Sequence, residues 1–91
     1  MTNRTAGIIG CGPIGCSWAA AFLRSAWAVR IFDVSESAST AATALVESML
    51  PGADGSAGAS SIRRLSIVGS LAEAVADADY VQESVAERLD T

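Results

Sequence analysis

The chain has 91 residues, a formal net charge of −4 and no histidine, and its six basic residues are all arginine. This length supports one small core, and the acidic balance (pI near 4.5) argues against nucleic acid or an anionic membrane surface as a partner. An apolar content of 51% and a mean hydropathy of +0.38 are high for so short a chain, which implies apolar surface that something else covers.

Thr5 to Ile9 is a short apolar run and reads as a buried parallel strand. It leads into Gly10-Cys11-Gly12-Pro13-Ile14-Gly15, after which a helical pattern begins at once. A strand, a G-x-G-x-x-G turn and a helix form the opening of a dinucleotide-binding βαβ unit. In that unit Gly10 makes the tight turn, Gly12 leaves room for a pyrophosphate, and Gly15 lets the helix close on the strand. The helix N-terminus offers free N–H groups to the phosphates. By itself the pattern is weak, since a glycine-rich turn can serve helix packing alone. Pro13 suits the first helical turn. Ile14, Trp18, Ala21, Phe22 and Ser25 share one helical face, expected to pack on the sheet. The glycine expected as a helix stop near Ser25-Ala26-Trp27 is absent.

Ala28 to Phe32 is the second strand, ending at Asp33. A carboxylate there accepts hydrogen bonds from ribose hydroxyls and repels a 2′-phosphate, favouring NAD over NADP. The alternative is a solvated turn aspartate. Ser35 reads as the N-cap of a second helix whose inner face is Ala38, Ala41, Ala42, Leu45 and Met49. Pro51 to Ser61, PGADGSAGASS, reads as a flexible loop. Arg64 to Val68 is a third strand. Arg63 and Arg64 are within reach of a phosphate in principle, although a solvated strand entry is the simpler reading. Ser70 and Glu73 give a capping-box pattern for a short helix with Leu71, Ala74, Val75 and Ala78 on its apolar face. Tyr80 to Glu83 is a fourth strand, and Ser84 onward resembles a turn opening another helix. Glu83 and Glu87 fall at the ligand-binding carboxyl edge, or serve only as helix-start charges.

The alternation predicts an α/β Rossmann-type parallel sheet of order 3-2-1-4 in three layers, incomplete relative to a full dinucleotide-binding fold, with a bare apolar edge at the fourth strand. Cys11 and Cys16 have no metal-site spacing and no histidine to join them, and they read as small apolar fillers in a reducing compartment. There is no signal-peptide pattern and no run of membrane-spanning length, so the expected location is the cytoplasm.

GCGPIGCSWAAAFLRSAWAVRIFD and LAEAVADADYVQESVAERLD resemble the NAD-binding half of the 3-hydroxyacyl-CoA dehydrogenase family. Trp18 and the Val-Gln-Glu-Ser-Val-x-Glu string are most similar to its lambda-crystallin and L-gulonate 3-dehydrogenase branch. The resemblance implies NAD as cofactor, bound by Gly10, Gly12 and Gly15 with backbone contacts from Pro13 and Ile14, and by Asp33 on the ribose. It places Glu87 beside the nicotinamide half, with Ser84 and Val85 lining that side. It further implies a longer enzyme, in which a helical C-terminal domain binds a small-molecule substrate, carries a His–Glu catalytic pair and forms a homodimer. Residues 1–91 are expected to be its N-terminal NAD-binding domain, with no catalytic residue of their own. Hydroxyacyl-CoA, L-gulonate and carnitine-like substrates all stay open.

Three positions depart from the family's pattern. Ala26-Trp27 stands where a glycine is usual, so strain is expected there. Ala86 replaces a usual proline. The family's histidine base has no counterpart in the sequence. The alternative readings are a non-catalytic NAD-binding module or truncated gene product, and more distantly another Rossmann protein such as an FAD enzyme or imine reductase.

Overall fold

A computed structural model of the chain describes residues 4–50 and 61–84. The 51–60 part of the expected loop and the expected helix start at residues 85–91 lie outside them. In chain order the elements are β1 (Thr5–Ile9), α1 (Pro13–Arg24), β2 (Ala28–Phe32), α2 (Glu36–Ser48), β3 (Leu65–Ile67), α3 (Leu71–Val75) and β4 (Tyr80–Glu83). The four strands form one parallel sheet of order β3-β2-β1-β4, as the alternation predicts. Three strands match their predicted bounds, and β3 is shorter than the Arg64–Val68 expected. Among the described residues no helix is long and apolar enough to cross a membrane.

Strand residues alternate between the two faces of the sheet. Ala6 and Ile8 point to the side of α1 and α2. There they join Cys16, Ala19, Ala20, Leu23, Val29, Ile31, Ala42 and Val46 in one core. Gly7 points the other way, under α3. A Cβ on Gly7 would lie 2.4 Å from the Ala74 carbonyl oxygen, so only glycine lets α3 come this close. That second face is thin. Of α3 only Ala74 is buried, Leu71 and Val75 being exposed, and on the edge strand β4 Tyr80 and Val81 are exposed. The bare apolar edge expected at the fourth strand is therefore present among the described residues.

One expectation about α1 fails. The face turned to the sheet is Gly15, Cys16, Ala19, Ala20 and Leu23, whereas Ile14 and Trp18 are 69% and 40% exposed. Size decides this. At Gly15 the helix is held so close to β1 that only small side chains fit between them, so Ile14 and Trp18 turn to the flank, whereas Leu23, two turns on, enters the core. Phe22 there packs against Trp18, Trp27 and Tyr80 with ring centroids 6.1, 4.8 and 5.5 Å apart. In α2, Ala42 and Val46 are buried, Ala38, Leu45 and Met49 pack around them, and the predicted Ala41 is exposed.

Both predicted caps form. Ser35 Oγ accepts from the Ala38 N–H at 3.2 Å, and Ser70 Oγ accepts from the Glu73 N–H at 3.1 Å. Glu73 returns its carboxylate to the Gly69 N–H and the Ser70 hydroxyl, a one-residue shift from the usual capping box.

The C-terminal end of α1 shows how the chain stops a helix without glycine. Ala26 takes φ 69°, and its N–H donates to Leu23 O, while the Trp27 N–H donates to Phe22 O, both at 3.0 Å. This is a Schellman turn, and the Trp27–Phe22 ring contact is its usual apolar partner. An alanine in the left-handed region carries a cost of about 1 kcal/mol, which is the strain the sequence predicts at Ala26. Arg64 closes the same end. Its Nη2 donates to Leu23 O at 2.8 Å and its Nε to Trp27 O at 3.3 Å. Arg64 is thus neither a phosphate ligand nor a solvated strand entry. It covers helix-end carbonyls, where the helix dipole favours a cation.

Candidate functional site: a dinucleotide cradle at the carboxyl edge

The parallel register brings the ends of three strands together. Ile9 of β1 sits beside Phe32 of β2 and Glu83 of β4. The glycine turn, Asp33 and Ser84 therefore emerge at one edge of the sheet, the edge at which open α/β sheets bind ligands. Backbone bonds fix the exits. The Gly10 N–H donates to Phe32 O at 2.8 Å, and the Ser84 N–H donates to Ile9 O at 2.7 Å.

Within the turn, Gly10 has φ 98°, which a side chain would disfavour. Gly15 is buried, and a Cβ on it would lie 2.0 Å from Gly10 O, so the helix can start this close to the strand only with glycine there. Gly12 is the reverse case. It is exposed, and a Cβ built on it would meet nothing within 4 Å. The space in front of Gly12 is thus open to a ligand. Gly12 is also the N-cap of α1 and accepts the first intrahelical bond, from Cys16 N–H at 2.9 Å. Ile14 and Gly15, in the first turn, have no intrahelical acceptor for their N–H groups. Pro13 occupies that turn without an N–H to give, so its part is to fix the backbone rather than to donate.

Asp33 is tied to this turn. Its Oδ2 accepts from the Cys11 N–H at 2.8 Å and its Oδ1 from the Ser35 N–H at 2.7 Å. Ser39 Oγ also donates to the Asp33 carbonyl, at 3.4 Å. Partial burial of the carboxyl works against its ionisation, but the Cys11 and Ser35 N–H groups outweigh it and hold Asp33 below the ordinary aspartate range. Asp33 is therefore a fixed anion, and each oxygen keeps a lone pair for a further donor. The same packing acts in the opposite direction on the thiols. Burial, reinforced by the Asp33 charge, pushes Cys11 up to about 12 and raises Cys16 as well. Both cysteines are free and buried, as the reading of apolar fillers expects. Among the described residues no group of three or more His, Cys, Asp or Glu side chains is placed to hold a metal.

On the β4 side, Ser84 Oγ is buried with no hydrogen-bond partner among the described residues. Glu83 ends β4 and is exposed. Val85 and Glu87, which the resemblance assigns to the nicotinamide side, lie outside the described residues. A shallow hollow of about 520 Å³ lies along the outward side of α1, lined by Pro13, Ile14, Ser17, Trp18, Ala21 and Met49. It touches the helix start but includes neither Asp33 nor Ser84, and it is apolar, so it is not where the polar groups converge.

N–H groups without an intrahelical acceptor beside an open Gly12, a fixed carboxylate on the adjacent strand end and a hydroxyl unpartnered among the described residues fit a dinucleotide. Comparison with known proteins agrees. The family model described as "3-hydroxyacyl-CoA dehydrogenase, NAD binding domain" matches residues 5–91.

The chain belongs to this family.

NAD is accordingly its cofactor. An L-carnitine dehydrogenase of Nocardiopsis dassonvillei is 44% identical over 89 residues, covering 96% of this chain and 27% of that protein. An L-carnitine dehydrogenase/betainyl-CoA thioesterase of Ruegeria pomeroyi is 43% identical, covering 94% of this chain and 18% of that protein. The chain thus spans about a quarter or less of the length of these relatives. Among solved structures, (S)-3-hydroxybutyryl-CoA dehydrogenase from Ralstonia eutropha superposes with a TM-score of 0.79 at 28% identity, over 98% of this chain and 33% of that one. An imine reductase from Myxococcus stipitatus in complex with NAD+, at 18% identity and a TM-score of 0.61, shares the fold.

Sequence reasoning identified the turn and Asp33 but missed how they are joined. The Cys11 N–H to Asp33 bond has no signature in spacing, because it depends on the register of β1 against β2. The role of Gly7 was missed for a similar reason, since a glycine inside a strand signals close approach without saying of what.

Proposed function

We propose that this chain is the cofactor-holding part of an NAD-dependent dehydrogenase acting on the hydroxyl of a 3-hydroxy acid or 3-hydroxyacyl thioester. The observation that carries this reading is the Asp33 carboxylate, fixed on the glycine turn beside an open Gly12. In this reading Gly10, Gly12 and Gly15 shape the pyrophosphate cradle, Pro13 sets its backbone and Ile14 donates to it. Asp33 accepts from the ribose hydroxyls and discriminates against a 2′-phosphate by charge. Ser84 offers its buried hydroxyl on the nicotinamide side, where Val85 and Glu87 complete the lining. NAD+, when bound, supplies the hydride acceptor.

Residues 1–91 hold and orient the cofactor but have no histidine to take the hydroxyl proton. That base, the substrate pocket and the homodimer contacts belong in this reading to a C-terminal domain of a longer enzyme. The relatives named L-carnitine dehydrogenase favour a compact 3-hydroxy acid as substrate. The net charge of −4 argues against a nucleic-acid or anionic-membrane partner, and we place the chain in the cytoplasm.

The test is a dehydrogenase assay of the 91-residue chain with NAD+ and L-carnitine, L-gulonate or a 3-hydroxyacyl-CoA. Turnover should stay at background while NAD+ binding is measurable. Real turnover would contradict the division of labour described here.

A further inference from the structure

The two buried cysteines are not used by the cofactor reading as it stands, yet one of them touches the turn. Cys16, on the sheet-facing side of α1, has no exposed surface, and its thiol donates to the Cys11 carbonyl oxygen at 3.4 Å. The other oxygen near it, that of Ala42, is farther, at 4.0 Å. Burial and the Asp33 charge both disfavour the thiolate, so the donor proton is kept.

The Cys11 carbonyl belongs to the same rigid plane as the Gly12 N–H. In a trans peptide the two point in opposite directions. Among the described residues no peptide bond is cis. A carbonyl aimed inward at Cys16 therefore aims the Gly12 N–H away from Cys16, at a residue that is exposed and where a Cβ would meet nothing within 4 Å. Without the thiol this plane has less to hold it, because it turns about Cys11 ψ and Gly12 φ, and Gly12 is exposed and has no side chain to resist. The Cys11 N–H is already held from the other side by Asp33.

We propose that Cys16 is a positioning residue for the dinucleotide pyrophosphate: its thiol locks the Cys11–Gly12 peptide so that the Gly12 N–H faces the phosphate oxygens. This rests on the reading of the turn as the pyrophosphate cradle. The lock acts on the part of the ligand that NAD+ and NADP+ share. Its loss should weaken both equally, whereas Asp33 acts on the part in which they differ.

Calorimetric titration of the purified chain with NAD+ and with NADP+ separates the cases. Cys16→Ala should weaken both nucleotides by about threefold, the size of one weak hydrogen bond, with their ratio unchanged. Cys16→Ser, which restores a donor, should recover most of the loss. Should Cys16→Ala not fold, Cys16→Val fills the space without a donor and should give the same parallel weakening. The amide proton signal of Gly12 in NMR spectra should shift in the donor-less variant and return in Cys16→Ser, which a purely packing role would not produce. Unchanged affinities in the donor-less variant, or a Cys16→Ser chain as weak as it, overturn the proposal while leaving the cradle reading intact. Failure of the unmodified chain to bind either nucleotide overturns both.

Discussion

The two ends of α1 meet the same problem, unsatisfied backbone groups at a helix terminus, and solve it in opposite ways. At the C-terminal end the chain satisfies the carbonyls itself. Ala26 and Trp27 turn back on Leu23 and Phe22, and Arg64 covers Leu23 and Trp27 from the neighbouring β3 entry. At the N-terminal end it does not. Gly12 has no side-chain cap, Pro13 follows it, and no acidic residue stands in the first turn. A helix start left uncapped, uncharged and open is a site for an anion from outside. The closed end fixes α1 in place, and the open end is where, in the proposed reading, α1 meets the cofactor.

This contrast can be tested from each end. The largest effect is expected at Gly15. In Gly15→Ala the added Cβ would meet Gly10 O at 2.0 Å, a backbone clash that a side-chain movement cannot relieve. Urea unfolding should show a loss of about 3 kcal/mol or more, with NAD+ binding abolished. Next comes Arg64→Ala at the closed end, which removes two donors from helix-end carbonyls. It should cost about 1–2 kcal/mol of stability while leaving the NAD+ affinity of the folded chain within twofold. A large loss of affinity in Arg64→Ala would show that the two ends are not separate.

Ala26→Gly sharpens the comparison in the other direction. With φ 69° already in place, glycine should stabilise the chain by about 1 kcal/mol, seen as a higher Tm, again without effect on binding. The smallest effect is a pH dependence. Asp33 ionises more readily in the folded chain than in the unfolded one. Its contribution to stability is therefore complete above the ordinary aspartate value near 4 and is lost as pH falls through the lower folded value. Acid unfolding of Asp33→Asn should begin from a lower stability and show a shallower slope below about pH 4 than the unmodified chain.

The sheet order, the three strands with matching bounds, both serine caps and the position of Asp33 were legible because each rests on a local signal. Apolar runs give strands, Ser-x-x-Glu gives a cap, and the glycine turn sets the offset to Asp33. What was not legible depended on distance between elements. The inner face of α1 was misjudged because periodicity weighs Trp18 and Phe22 as hydrophobic, whereas the close approach at Gly15 selects Cys16, Ala19 and Ala20 for their size. Arg64 was read as a solvated strand entry because nothing in its neighbours in sequence reveals the end of α1 lying beside it. The absent glycine at Ala26 was legible as a departure, and the Schellman turn shows what the departure costs.

In the proposed reading the open end of α1, together with Asp33, selects NAD. Calorimetric titration of the unmodified chain with NAD+ and NADP+ tests it most directly. NAD+ should bind about tenfold or more tightly than NADP+, because in the proposed reading the fixed Asp33 carboxylate faces the 2′ position. Equal affinity for the two, or tighter binding of NADP+, would contradict it.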